Sequence, residues 1–229
     1  MNGGWLPRLA LLGLAALVAT MALQGQLAYY LRPSYHPLLL AATGLLVLVV
    51  LGADRTAGAA VRWRVLVLLV PVLLGFLLPR DPLTSRSRSS EEIERSVLAA
   101  RFLPADELAA RLAQHQRTDR EVPLYLLHQA MNHPDARFDG MPLVTTGWLL
   151  KRASGKKLLL RYVIVCCAAD ARLLAVELPA TLALDDMPDD SWLRITGKLG
   201  ALTSAGRQLQ VENFTSIPVP KDPYCYQNR

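Results

Sequence analysis

The sequence predicts an α-helical membrane module, a short helical linker region and a small all-β domain, an OB-like five-stranded barrel. Three features predict it: apolar runs confined to the first eighty residues, a polar proline- and serine-bearing stretch after them, and alternation of apolar and polar residues beyond Asp139-Gly140. The length of 229 residues suits one or two folding units of about 150 residues each, which excludes a large multidomain enzyme. Hydrophobic residues make up 52% and the formal net charge is +6. Nearly all of that charge comes from Arg8, Arg32, Arg55, Arg62, Arg64 and Arg80, against the one acid Asp54 in the same stretch; beyond residue 80 the signs almost balance. The basicity therefore belongs to arginines flanking apolar runs, and nucleic acid is not expected as a partner.

The membrane module is expected over residues 1–80, with two to three transmembrane helices at about 9–30, 37–53 and 64–79. Leu9 to Tyr30 carries no charged residue, and at 1.5 Å per residue it would reach about 33 Å, enough for a hydrocarbon core of about 30 Å. A cleaved signal peptide is the rival reading, but a second apolar run follows at once and no clear A-x-A site stands after the first. Pro37 to Ala53 gives a second, shorter span, preceded by Tyr29, Tyr30, Arg32 and Tyr35 as an interfacial belt. Val65 to Leu78 contains Pro71 and Gly75 and is either a third span or a re-entrant segment. The expected location is the plasma or inner membrane, multi-pass. Flanking arginines tie, four on each side, so orientation rests on span count: three crossings from a cytoplasmic start put the β domain on the outer side. Because no span holds a charge, this half reads as an anchor or packing partner for the lipid bilayer and not as a transporter.

Residues 81–138 are expected to be linker and short helices. Arg80 to Ser90 has linker composition, Ser89 or Ser90 before Glu91, Glu92 and Glu94 reads as a helix start, and Pro104 and Pro123 divide the helical blocks Ile93–Phe102, Ala105–His115 and Val122–Met131. His115, His128 and His133 fit no standard helical spacing for metal ligands; surface or core positions are expected for them.

Residues 139–229 are expected to form the β domain. Leu143–Lys151, Lys157–Cys167, Leu173–Leu178, Trp192–Leu199 and Gln208–Phe214 read as strands, separated by Ser154-Gly155, Asp185 to Asp190, and Ser204-Ala205-Gly206. Five strands protect their edges best by closing into a barrel. Trp148, Tyr162 and Trp192 form no stacking row flanked by basic residues, so core packing or a protein-binding face is their expected use.

Three cysteines are too few for a disulfide framework. On a regular strand Cys166 would share a face with Tyr162 and Ile164, and Cys167 with Arg161 and Val165, so the pair would not hold one ion. A bend through Ala168-Ala169 would bring Cys167 and Asp170 together. The options for Cys166 and Cys167 are thiolate metal ligands, a redox pair, a nucleophile for which no His lies near in sequence, or core filling.

RYVIVCCAAD (Arg161 to Asp170), YLRPSYHPLLL (Tyr30 to Leu40), GFLLP (Gly75 to Pro79), DDSWLRITGKL (Asp189 to Leu199) and DPYCY (Asp222 to Tyr226) together resemble the YcgQ-like putative permease-subunit membrane protein family, a domain of unknown function with a CC-x-AD motif. The resemblance spans nearly the whole chain in order. It implies an integral membrane protein acting beside a separate multispan permease subunit. The loop Ala53 to Arg64, rich in His, Asp and Cys in some members, here has no His and no Cys, which argues against metal delivery by that loop. The resemblance raises the weight of Cys166, Cys167 and Asp170 as metal ligands, for a divalent ion such as zinc. The expected function is a non-enzymatic accessory subunit of a membrane permease for a metal ion or small solute. The alternative is a membrane-anchored metal-binding or thiol-redox module using the Cys-Cys pair.

Overall fold

A computed structural model of the chain describes residues 5–52, 82–84, 103–117, 121–204 and 206–226. The third span expected at 64–79, the Ala53–Arg64 loop, most of the Arg80–Ser90 linker and the block Ile93–Phe102 lie outside the described residues. The chain divides into two units, Met1–Pro82 with Cys166–Ala168, and Leu83–Val165 with Ala169–Arg229.

The first unit holds α1 (Trp5–Leu23) and α2 (His36–Gly52), joined by 3-10 turns at Gln26–Tyr29 and Pro33–Tyr35. Ala10, Ala15, Leu17, Leu27, Ala28 and Val50 are buried. Among the described residues no helix is long and apolar enough to cross a membrane. The apolar run from Leu9 to Tyr30 is not one helix. Gly25 takes φ 70°, the left-handed region that glycine enters without a Cβ clash, and the chain turns there. Between Arg8 and Leu23 only about 22 Å of charge-free helix remains, and α2 offers about 26 Å, against a core of about 30 Å. This overturns the transmembrane helices expected at 9–30 and 37–53. It also overturns the α-helical membrane module of the predicted fold class and the multi-pass plasma- or inner-membrane location with an outward β domain.

The second unit packs α3 (Ala105–Arg117) and α4 (Leu124–Asn132) with a six-stranded sheet: β1 (Pro142–Lys151), β2 (Lys157–Ile164), β3 (Arg172–Leu178), β4 (Trp192–Leu199), β5 (Leu209–Ile217) and β6 (Cys225–Tyr226). The order is β3-β2-β1-β4-β5, with β6 beside β2. Neighbours run antiparallel except β2 and β6, which pair in parallel through Val163 with Cys225 and Ile164 with Tyr226. The hydrogen-bonded path ends at β3 and β5, so the closed five-stranded OB-like barrel is corrected to a six-stranded sheet with its path open.

Alternation marks β4, and burial on both faces marks β2. In β4 Leu193, Ile195 and Leu199 are buried while Arg194, Thr196 and Lys198 are exposed. In β2 Leu158, Leu159 and Leu160 are all buried because the sheet is covered on both faces. Leu159 belongs to a cluster with Leu108, Leu112, Leu126, Leu127 and Phe138. Leu158 and Leu160 belong to a second cluster with Trp148, Tyr162, Trp192 and Tyr224. The three rings considered for stacking are therefore core. β4 and β5 shift register between Thr196 and Gly197. A Cβ at Gly197 would stand 2.1 Å from the Gln210 carbonyl oxygen, so this bulge admits only glycine.

Two buried cations hold loops to this frame. Arg207, its side chain fully buried, donates from Nε to Asp139 Oδ1 at 2.6 Å and through its terminal nitrogens to the carbonyls of Ala130, His133 and Asp135. It thereby satisfies acceptors left open at the C-terminal end of α4. Lys157 donates to Leu182 O at 2.6 Å and to Asp185 Oδ2 at 3.0 Å. Arg161 lies 5.6 Å over the Trp192 ring and donates to the carbonyls of Asp222 and Pro223, which seats the stretch leading into β6.

Candidate functional site

β2 ends earlier than the sequence predicts, at Ile164. Its ladder with β3 stops at Val163 opposite Arg172, and its pairing with β6 stops at Ile164. The chain then bends at Val165 and Cys166 and passes through a 3-10 turn at Ala168–Asp170 before β3 begins. Ala168 and Ala169 leave room for so tight a turn. Asp170 locks it, its Oδ1 accepting the backbone N–H of Val165 at 2.8 Å, the kind of local side-chain bond that competes with strand continuation. Within the first unit, the Cys166 carbonyl accepts the Arg32 N–H at 3.1 Å, the Ala168 N–H donates to Tyr30 O at 2.8 Å, and Cys167 forms an isolated bridge with Leu31.

This bend changes what the cysteines can do. Cys166 and Cys167 are not on opposite faces of a strand: their sulfurs lie 3.6 Å apart. Both are thiols, Cys166 exposed and Cys167 half-buried. One ligand atom each from Cys166, Cys167 and Asp170 falls within a mutual 4.8 Å. Two sulfurs bound tetrahedrally to zinc at about 2.3 Å stand about 3.8 Å apart, and a sulfur and a carboxylate oxygen about 3.5 Å apart. The thiol pair, at 3.6 Å, is close to the first spacing, and the sulfur–oxygen separations, within 4.8 Å, exceed the second by no more than about 1.3 Å. A disulfide would instead need the sulfurs at about 2.05 Å.

The other candidates stay apart from this group. Every histidine and cysteine of the chain is among the described residues, and of these only Cys166 and Cys167 enter the cluster. Cys225 is buried in β6. His36 Nε2 lies 3.1 Å from the Leu31 carbonyl, and the Asp135 N–H donates to His133 Nδ1 at 3.2 Å. His128 is buried in α4 with neither ring nitrogen hydrogen-bonded, and burial pushes its pKa below the usual imidazole value. The sequence suggested the bend through its small residues but not its backbone partners: nothing in RYVIVCCAAD points to Tyr30, Leu31 or Arg32.

No curated protein matches the chain. Residues 115–227, from the last turn of α3 through β6 and including the whole thiol turn, match the family model of the DUF1980 C-terminal domain.

Proposed function

We propose that this chain is a non-enzymatic metal-binding accessory protein, in which Cys166, Cys167 and Asp170 hold a divalent ion such as zinc for a separate multispan permease. The observation that carries the metal reading is the convergence of three donor atoms within 4.8 Å on a locked turn. Two soft thiolates and one carboxylate favour zinc-like ions over the hard cations magnesium and calcium, which take oxygen sets. The permease as recipient is supported by the sequence resemblance to YcgQ-like permease subunits.

Purified full-length protein equilibrated with zinc and desalted should retain about one ion per chain, and Cys167→Ser should lose it. Unchanged zinc content in Cys167→Ser would sink the reading. The 3.6 Å contact between the sulfurs favours one competing use, a dithiol that gives two electrons and two protons to a disulfide-bearing oxidant and closes a Cys166–Cys167 bond. Zinc protection of both thiols from alkylation separates the two, because a redox pair without metal affinity would be alkylated equally fast with and without zinc.

A further inference from the structure

We infer that the ion at Cys166, Cys167 and Asp170 keeps one coordination position open, and that a neutral imidazole from a histidine of the metal-accepting partner fills it. This rests on the metal reading above and adds the chemistry of the recipient. Zinc sites that are purely structural take four protein ligands, whereas sites with three leave the fourth position to water or an incoming molecule, as in zinc enzymes. Here the cluster among the described residues supplies three. No other histidine or cysteine of the chain joins it, and each of them is described. Cys166 is exposed, so the fourth position opens to an incoming group.

Charge selects that group. Two thiolates and a carboxylate around a divalent ion leave a net charge of −1. A third thiolate would raise this to −2 at close range, where like charges repel strongly, while imidazole adds a good borderline donor and no charge. A histidine-bearing acceptor can thus bind the ion before any of the three original ligands lets go. Transfer then proceeds by exchange of ligands, with zinc remaining Zn(II) throughout.

Cobalt(II) is the probe, because its visible bands report coordination directly. Full-length protein loaded with one cobalt should show thiolate-to-cobalt charge transfer. Titration with imidazole should then move the visible bands to higher energy in a saturable way, with a monothiol binding at least about tenfold more weakly. Asp170→Asn, whose amide oxygen can still accept the Val165 N–H, removes one negative charge and should narrow the imidazole-over-thiol preference. Bands that imidazole does not move would show a closed site and overturn the inference while leaving the metal reading intact. A thiol that binds more tightly than imidazole would overturn the charge argument. Failure to develop any thiolate band would overturn the metal reading itself.

Discussion

Replacing Arg207 with methionine tests whether the β4–β5 connection is tied down by its hydrogen bonds or only by packing. Methionine keeps much of the side chain's length and apolar contact but removes every donor. The fully buried guanidinium serves Asp139 and three backbone carbonyls, and its carbon lies 5.8 Å from the Phe138 ring centre. Asp139, about a third exposed, can turn to water, so its loss counts for little. The carbonyls of Ala130 and His133 are bonded in a buried setting, and a buried acceptor left unsatisfied costs about 1–3 kcal/mol. Removing the arginine's own desolvation offsets part of this. The net loss should be about 2–5 kcal/mol, the sum for two such acceptors less that offset. At a urea slope of about 2 kcal/mol per molar, the midpoint should fall by about 2 M. Arg207→Lys, which keeps the charge with fewer donors, should fall between. Equilibrium urea unfolding followed by circular dichroism reads both. A midpoint within about 0.3 M of the wild type for Arg207→Met would refute the reasoning, since it would mean that water takes over these acceptors.

Two further outcomes follow from the fold. Gly197→Ala would place a methyl 2.1 Å from the Gln210 carbonyl oxygen, where neither backbone can yield; the variant should lose several kcal/mol or fail to fold, and a urea midpoint equal to wild type would show that the bulge is not tight. His128 is held below its ordinary pKa by burial, so the unfolded chain binds the proton more readily than the folded one. Its contribution is therefore fully present above the unfolded value near 6.5 and is lost as pH falls through that value toward the lower folded one. His128→Leu should flatten the fall in stability between pH 7.5 and 5.5, and an unchanged pH slope would show that other groups control it.

The strands were legible because alternation reports a two-faced environment directly: β4 declares its buried and exposed sides residue by residue. The helix α4 was harder. Its residues Leu124 to Ala130 are all buried, so the polar stripe that marks a surface helix is missing, and Pro123 was the clearest sign of its start. The first apolar run misled because hydropathy adds up residues without asking where the chain turns, and here it turns after Leu23, at Gly25. Barrel closure was inferred from strand number, but closure depends on whether β3 and β5 pair, and nothing local to either strand encodes that. At the candidate site Cys166, Cys167 and Asp170 were visible as residue types. The bend that brings Cys167 to Asp170 was suggested by Ala168-Ala169, but the approach of Cys166 to both was not, because the backbone bonds made by Cys166 and Ala168 go to residues more than 130 positions upstream.

The position of β1 between β2 and β4 sets an order of assembly. Its ladder with β2 closes across the short turn Arg152–Lys156, whereas its ladder with β4 joins Trp148 to Trp192 and Pro142 to Lys198. Local pairing is entropically cheaper and faster than distant pairing. As a ribosome releases the polypeptide, the β1-β2-β3 meander can zip first, with the dithiol hairpin already displayed at its tip. β6, which pairs with the end of β2, follows them in the chain. The β2–β3 turn that carries both thiols can thus form before the parallel ladder of β6 with Val163 and Ile164 closes.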